Sequence, residues 1–96
     1  KLSEFFNSKE LNGRRYRIEG HTDSTPVKNS KFESNWELSS ARAMNVLHYL
    51  SGLGVDEKNF SVAGYADTRA LYKGDTPEAK AYNRRVDIII LDEGHF

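Results

Sequence analysis

The stretch GHTDSTPVKNSKFESNWELSSARA, residues 20–43, decides how this chain is read. Gly20 closes a run in which Tyr16 and Ile18 fall on one face and Arg15, Arg17 and Glu19 on the other. That alternation is the pattern of a half-buried strand over residues 14–20. Residues 24–34 then have no periodicity and carry Pro26, Lys28, Asn29, Lys31 and three serines, so they form a loop. A loop of eleven residues is long for a small domain, and long loops are often functional. Ser34-Asn35-Trp36-Glu37 reads as a capping box, with Ser34 as N-cap and Glu37 reaching back. Leu38, Ala41, Met44, Leu47 and Leu50 recur every three residues, with Ala43 and Val46 filling the stripe. They predict an amphipathic helix ended by Gly52.

Outward from this stretch the elements alternate. Leu2, Phe5 and Phe6 have helical spacing over residues 1–9, and Asn12-Gly13 is a turn signal. In residues 60–66, Phe60, Val62 and Gly64 alternate with Ser61, Ala63 and Tyr65, as in a second strand. Residues 67–76 form another loop. Thr76 and Pro77 open a second helix as cap and first helical residue. The nearly unbroken run Val86, Ile88, Ile89, Ile90 and Leu91 predicts a last strand that is central and covered on both faces. The order helix, strand, helix, strand, helix, strand implies helices packed on a sheet. Because the pattern starts on a helix stripe, a further strand is expected upstream.

Composition narrows the possible functions. The chain has 96 residues, enough for one domain with a modest core. Its formal net charge is zero, whereas nucleic-acid binders carry a basic excess, so no nucleic-acid partner is expected. The absence of cysteine excludes disulfides and thiolate metal sites. No apolar run approaches the ~20 residues of a membrane span, and Lys-Leu-Ser-Glu does not open a signal peptide. On these grounds the chain is either cytoplasmic or a piece of a longer protein.

The candidate functional residues sit at the strand end and the helix start. His21 and Asp23, two apart, share a direction. A metal site needs three or four ligands, and His48 and His95 form no H-x-x-x-H pair with each other or with His21, so no metal is expected. No nucleophile-elbow sequence exists, no cofactor loop is present, and no enzymatic activity is expected. His21 is expected to fix the strand end by a hydrogen bond to neighbouring backbone. Asp23 either caps a turn in the loop or holds a ligand ammonium. Arg42 either lays its stem along the apolar stripe or grips a carboxylate with two prongs. Asn35 and Ser39 lie at the helix start, where free backbone N–H groups attract anions. An amino-acid zwitterion would suit Asp23 facing Arg42. Trp36 is expected in the core or as a staple, with a sugar platform as the alternative. Arg84 and Arg85 are expected to be salt-bridged or solvated, with ligand contact as the alternative.

As a set, GHTD (20–23), NWELSSARA (35–43), GYADTRAL (64–71) and NRRVDIIIL (83–91) resemble the OmpA-like peptidoglycan-binding domain. The long segment STPVKNSKFESNWELS resembles the MotB-type flagellar stator subfamily, with Ala70 a departure where that pattern has Pro. The resemblance implies an α+β fold, a mixed β-sheet with helices on one face, and a single domain over residues 1–96 whose first strand lies upstream. It implies non-catalytic binding of the diaminopimelate-bearing stem of peptidoglycan. The ligand residues it assigns are Thr22, Asp23, Asn35, Ser39, Arg42 and Arg85, with Asp23 on the ammonium and Arg42 on the carboxylate. It implies the periplasmic part of an inner-membrane protein that dimerises, meets a stator partner subunit and the membrane through an upstream region, and needs no cofactor. An outer-membrane wall anchor and a module that binds a protein partner through its helical faces are the other readings.

Overall fold

The computed structural model describes Glu4, Phe5 and residues 14–91. The helix expected over residues 1–9 and the turn at Asn12-Gly13 fall outside these residues, apart from Glu4 and Phe5. The elements are β1 (Arg15–His21), α1 (Asn35–Gly52), a short 3-10 turn (Glu57–Asn59), β2 (Phe60–Gly64), α2 (Pro77–Asn83) and β3 (Arg85–Leu91). The strands form one sheet in the order β2-β1-β3, with β1 parallel to β2 and antiparallel to β3. The result is the expected α+β class with a mixed sheet.

The alternation in β1 separates two chemistries. Tyr16 and Ile18 face α1 and join Ala43, Leu50 and Val55 in the core, with Val46, Leu47, Phe60, Val62, Val86 and Ile88 packed around them. Ile18 and Leu50 are fully buried, and each such side chain stabilises by about 1.5–3 kcal/mol relative to exposure. The opposite face carries Arg17, Glu19 and His21, whose cross-strand partners on β3 are Ile89, Asp87 and Arg85.

The ends of α1 follow from local chemistry. The Ser34 hydroxyl accepts a hydrogen bond from the Trp36 N–H and donates to the Glu37 carboxylate. At the other end the helix runs through Gly52, and the residue that turns the chain is Gly54, at φ +97°. The Gly54 N–H bonds to the Ser51 carbonyl and the Val55 N–H to the Leu50 carbonyl, with Val55 and Leu50 both buried. These are the paired bonds and the apolar contact of a Schellman cap.

Two expectations about packing are corrected. Among the described residues β1 is the central strand of the sheet, and β3 pairs only with β1. Its parity explains the misleading run. Val86 and Ile88 reach the core under α1, whereas Ile89 lies on the other face and Ile90 is 41% exposed. The buried stripe of α1 is Ser39, Ala43 and Leu50, with Val46 and Leu47 partly covered, while Met44 is exposed. A strict three-residue repeat drifts around a helix of 3.6 residues per turn, which carries Met44 off the core face. No helix among the described residues is long and apolar enough to cross a membrane.

Two glycines set how closely α1 approaches the sheet. Gly20 and Gly64 are directly paired across β1 and β2. A Cβ on Gly20 would lie 1.9 Å from the Ser39 carbonyl oxygen, and one on Gly64 would lie 2.7 Å from the Ser40 backbone nitrogen. The missing side chains let the first turns of α1 rest on the strand ends. That contact carries Asn35 and Arg42 to the place where β1 runs into Thr22 and Asp23.

Candidate functional site

An open cleft of about 330 Å³ lies at this junction, lined by Thr22, Asp23, Thr25, Val27, Asn35, Leu38, Arg42 and Arg84. Four residues singled out in the sequence, Thr22, Asp23, Asn35 and Arg42, therefore meet in one place. Two others, Ser39 and Arg85, do not line this cleft.

Asp23 is buried and engaged. Its Oδ1 accepts the Thr25 N–H at 2.9 Å, and its Oδ2 accepts from the Arg84 guanidinium at 2.7 Å. Burial works against the carboxylate ion, but the hydrogen bonds from Arg84 and Thr25 outweigh it and hold the pKa below the ordinary value. Both readings of Asp23 thus have a physical basis: it caps the loop turn and also presents negative charge to the cleft. The Asn35 amide nitrogen donates to the Thr25 carbonyl at 3.1 Å and to the Asp23 carbonyl at 3.5 Å, tying the loop to the start of α1. Its Oδ1 is buried and accepts no hydrogen bond among the described residues. The Thr22 hydroxyl donates to the Asp23 carbonyl, and its N–H bonds to the Ala66 carbonyl. Arg42 is half-buried, and its guanidinium makes no hydrogen bond or ion pair among the described residues.

The cleft therefore offers a compensated carboxylate and an unused guanidinium. A planar guanidinium can take a carboxylate with two parallel hydrogen bonds, and an ammonium can add to the remaining lone pairs of Asp23. This is the charge pattern of an α-amino acid centre.

Ser39 and Arg85 have other tasks. Ser39 is fully buried; its hydroxyl donates to the Trp36 carbonyl and accepts the Ala66 N–H. It fixes the turn after β2, where Ala66 has φ 54°. Arg85 lies on the opposite face of the sheet, where its Nε bonds Asp87 at 3.0 Å and its Nη2 bonds the Arg69 carbonyl. Arg84 was missed as a cleft residue. Strand parity was the available signal: Arg84 shares the side of Val86 and Ile88, which face α1, while Arg85 does not. Trp36, expected in the core or as a staple with a sugar platform as the alternative, is 51% exposed.

His21 also departs from expectation. It is 2% exposed, and neither ring nitrogen has a hydrogen-bond partner among the described residues, so no backbone bond anchors it. It stacks instead on Tyr65, with ring centroids 5.4 Å apart. Burial pushes its pKa down and Arg85 adds to this, against the pull of Asp87 and Glu19, so the imidazole is neutral near pH 7. His21, Glu19 and Asp87 bring possible metal-ligand atoms within 4.8 Å of one another. Both carboxylates are already paired, Glu19 with Arg17 at 2.8 Å and Asp87 with Arg85 at 3.0 Å. The two guanidiniums balance the two carboxylates and oppose a further cation.

The Asp23–Arg84 pair supports one expectation about stability. The Arg84 side chain is 46% exposed and that of Asp23 is 11% exposed, so solvent screens the pair and its worth falls toward that of a surface bridge. Arg84→Ala should cost about 1–2 kcal/mol, most of it from leaving a buried carboxylate less compensated. A double-mutant cycle with Asp23→Asn, read by urea melts, should give a coupling of about 1 kcal/mol. Strict additivity would show that the two groups do not support each other in solution.

Comparisons with known proteins show the family of the chain. Residues 1–84 match the OmpA family. Motility protein B of Bacillus subtilis is 44% identical over 78 residues, covering 80% of this chain and 30% of that protein. Peptidoglycan-binding protein ArfA of Mycobacterium tuberculosis is 34% identical over 76 residues, covering 79% of this chain and 22% of that protein. The crystal structure of the periplasmic domain of Helicobacter pylori MotB superposes with a TM-score of 0.84 at 27% identity, covering 96% of this chain and 58% of that one. The chain thus spans under a third of the length of these curated relatives. With a family match over residues 1–84 and a fold shared with a MotB periplasmic domain, the chain belongs to the OmpA family.

Proposed function

We propose that this domain binds the diaminopimelate-bearing peptide stem of peptidoglycan without cutting it, and so anchors a flagellar motor stator to the cell wall. The observation that carries the reading is the cleft in which Arg42, unpaired among the described residues, stands with the Asp23 carboxylate. Asp23 takes the ammonium of one diaminopimelate centre and Arg42 takes its carboxylate, while Thr22 and Asn35 hold the Asp23 backbone in place. Ser39 and Arg85 support the fold around the site and do not touch the ligand. Relatives named as motility proteins and as a peptidoglycan-binding protein support the assignment. The OmpA-type domain is a binding module and not an enzyme.

In this reading residues 1–96 are one domain, on the periplasmic side of the inner membrane, within a longer protein. That protein dimerises and reaches its stator partner and the membrane through upstream sequence.

The test is sedimentation with purified sacculi. The domain should co-sediment, free diaminopimelate should displace it, and no soluble muropeptides should appear in the supernatant. Binding that diaminopimelate leaves untouched would move the site away from this cleft, and binding to protein partners but not to sacculi would favour the partner-binding module.

A further inference from the structure

The face of the sheet turned away from α1 carries a charge network that the cleft does not use. His21 stands at its centre, 2% exposed, between groups from three parts of the chain. From β1 come Arg17 and Glu19, paired at 2.8 Å, and from β3 come Arg85 and Asp87, paired at 3.0 Å. From the chain after β2 comes Tyr65, stacked on the imidazole, with its hydroxyl 3.5 Å from the Glu19 carboxylate. The Arg69 guanidinium lies 4.2 Å from the centre of the Tyr65 ring.

Arg85 joins this network to the loop after β2. Its Nε donates to Asp87, its Nη1 to the Asn83 carbonyl and its Nη2 to the Arg69 carbonyl. On either side of Arg69 the loop is pinned by other groups. Ala66 is held by Thr22 and Ser39, and the Leu71 and Tyr72 N–H groups bond to the Asn83 side chain. Between these anchors, Arg85 is what holds the backbone at Arg69.

This arrangement is balanced only while the imidazole is neutral. Two guanidiniums offset two carboxylates, and Arg69 already adds positive charge nearby. Neither ring nitrogen of His21 has a hydrogen-bond partner among the described residues. Its Nε2 lies 3.5 Å from Asp87 Oδ2 and 3.8 Å from Glu19 Oε1, too far for a charged hydrogen bond. Asp87 Oδ2 is also the oxygen that accepts from Arg85 Nε. A buried imidazolium without a made hydrogen bond is costly, and the nearest acceptor that can satisfy it is the one Arg85 uses. Burial, Arg85 and Arg69 oppose the charged form more than Asp87 and Glu19 favour it, which holds the His21 pKa below the ordinary value.

We propose that His21 is an acid-sensitive latch: its protonation draws Asp87 away from Arg85 and releases the loop that Arg85 holds at Arg69. The inference stands on this face of the sheet and does not depend on the peptidoglycan reading. The unfolded chain takes up the proton near the ordinary histidine value and the folded chain only at lower pH. The neutral imidazole's contribution to stability is therefore complete above about pH 6.5 and is lost as the pH falls through the folded value. The core under α1 lies on the other face and takes no part.

The test compares the 96-residue chain with His21→Phe, which can keep the stack on Tyr65 but cannot take a proton. In urea melts at about pH 7.5 and about pH 5, the wild-type ratio of folded to unfolded chain should fall about fivefold more than that of the variant. His48→Gln, a change on the exposed side of α1, should keep the wild-type pH dependence. By NMR, the His21 ring should titrate below the ordinary histidine range. The Thr68 and Arg69 amide signals should follow that titration in the wild type and stay still in His21→Phe. Equal pH dependence of the wild type and His21→Phe would overturn the proposal. A His21 midpoint at or above the ordinary value would overturn it too, because the two carboxylates would then dominate and acid would tighten the network. Loop amides that ignore the His21 titration would also overturn it, since the charge would then not reach Arg69. If His21→Phe does not fold, His21→Gln in the melts and the ring titration of the wild type decide the same question.

Discussion

Gly20→Ala is expected to destabilise the domain by about 3 kcal/mol or more. The added Cβ would lie 1.9 Å from the Ser39 carbonyl oxygen and 2.8 Å from its carbonyl carbon. Those atoms are helix backbone, so no rotamer change relieves the clash. Either α1 lifts from the sheet or β1 bends away from β2 and β3, to which Gly20 is paired through Gly64 and Val86. For a domain of this size each kcal/mol lowers the melting temperature by about 4–8 °C, so a drop of about 12 °C or more should appear by circular dichroism. Gly52→Ala is the matched control. It lies at the end of α1 with nothing within 4 Å of its added Cβ, and should be neutral or stabilising by up to about 1 kcal/mol. If both variants melt alike, the close approach of α1 to the strand ends is not what holds this fold.

The same contact explains how much of the molecule was legible beforehand. Strand alternation, the Ser34 cap and the Thr76-Pro77 start are local signals, and each element they mark is present. The tertiary partners of those elements are not local. The run Val86 to Leu91 reads the same for a central strand as for a strand with one covered face, because hydrophobicity does not report which neighbours a strand has. Ser39 and Arg85 belong to motifs that carry the family resemblance, and a motif does not tell which of its residues line the cleft. Ser39 turned out to be a buried clamp between α1 and Ala66. Arg84 was legible in principle, since one step of strand parity separates it from Arg85. The unused Asn35 Oδ1 was not, because it exists only through the two carbonyls that the loop brings to the other end of that amide.

Arg42→Ala should weaken binding to sacculi by at least about tenfold, about 1.4 kcal/mol, with almost no effect on folding. The expectation of intact folding comes from what Arg42 lacks: its guanidinium makes no hydrogen bond or ion pair among the described residues, so its removal strands no partner. Surface changes of this kind usually stay within about 0.5 kcal/mol of the parent stability. The loss of binding comes from the ligand carboxylate, which would be left in the cleft without its charged donor; hydrogen bonds to charged groups are worth about 1.5–3 kcal/mol each. Arg42→Lys should also bind weakly, because a single ammonium cannot reproduce the parallel pair of contacts. Asp23→Asn should weaken binding as well, but it is the less decisive variant. The Asp23 carboxylate is buried against Arg84 and Thr25, so the change alters stability and recognition together. Arg42 separates the two. If Arg42→Ala binds sacculi like the wild type and melts far below it, Arg42 only covers apolar surface beside Leu38 and the stem-binding site lies elsewhere on the domain. If it melts with the wild type and no longer binds, the free guanidinium of this cleft is held in reserve for the ligand.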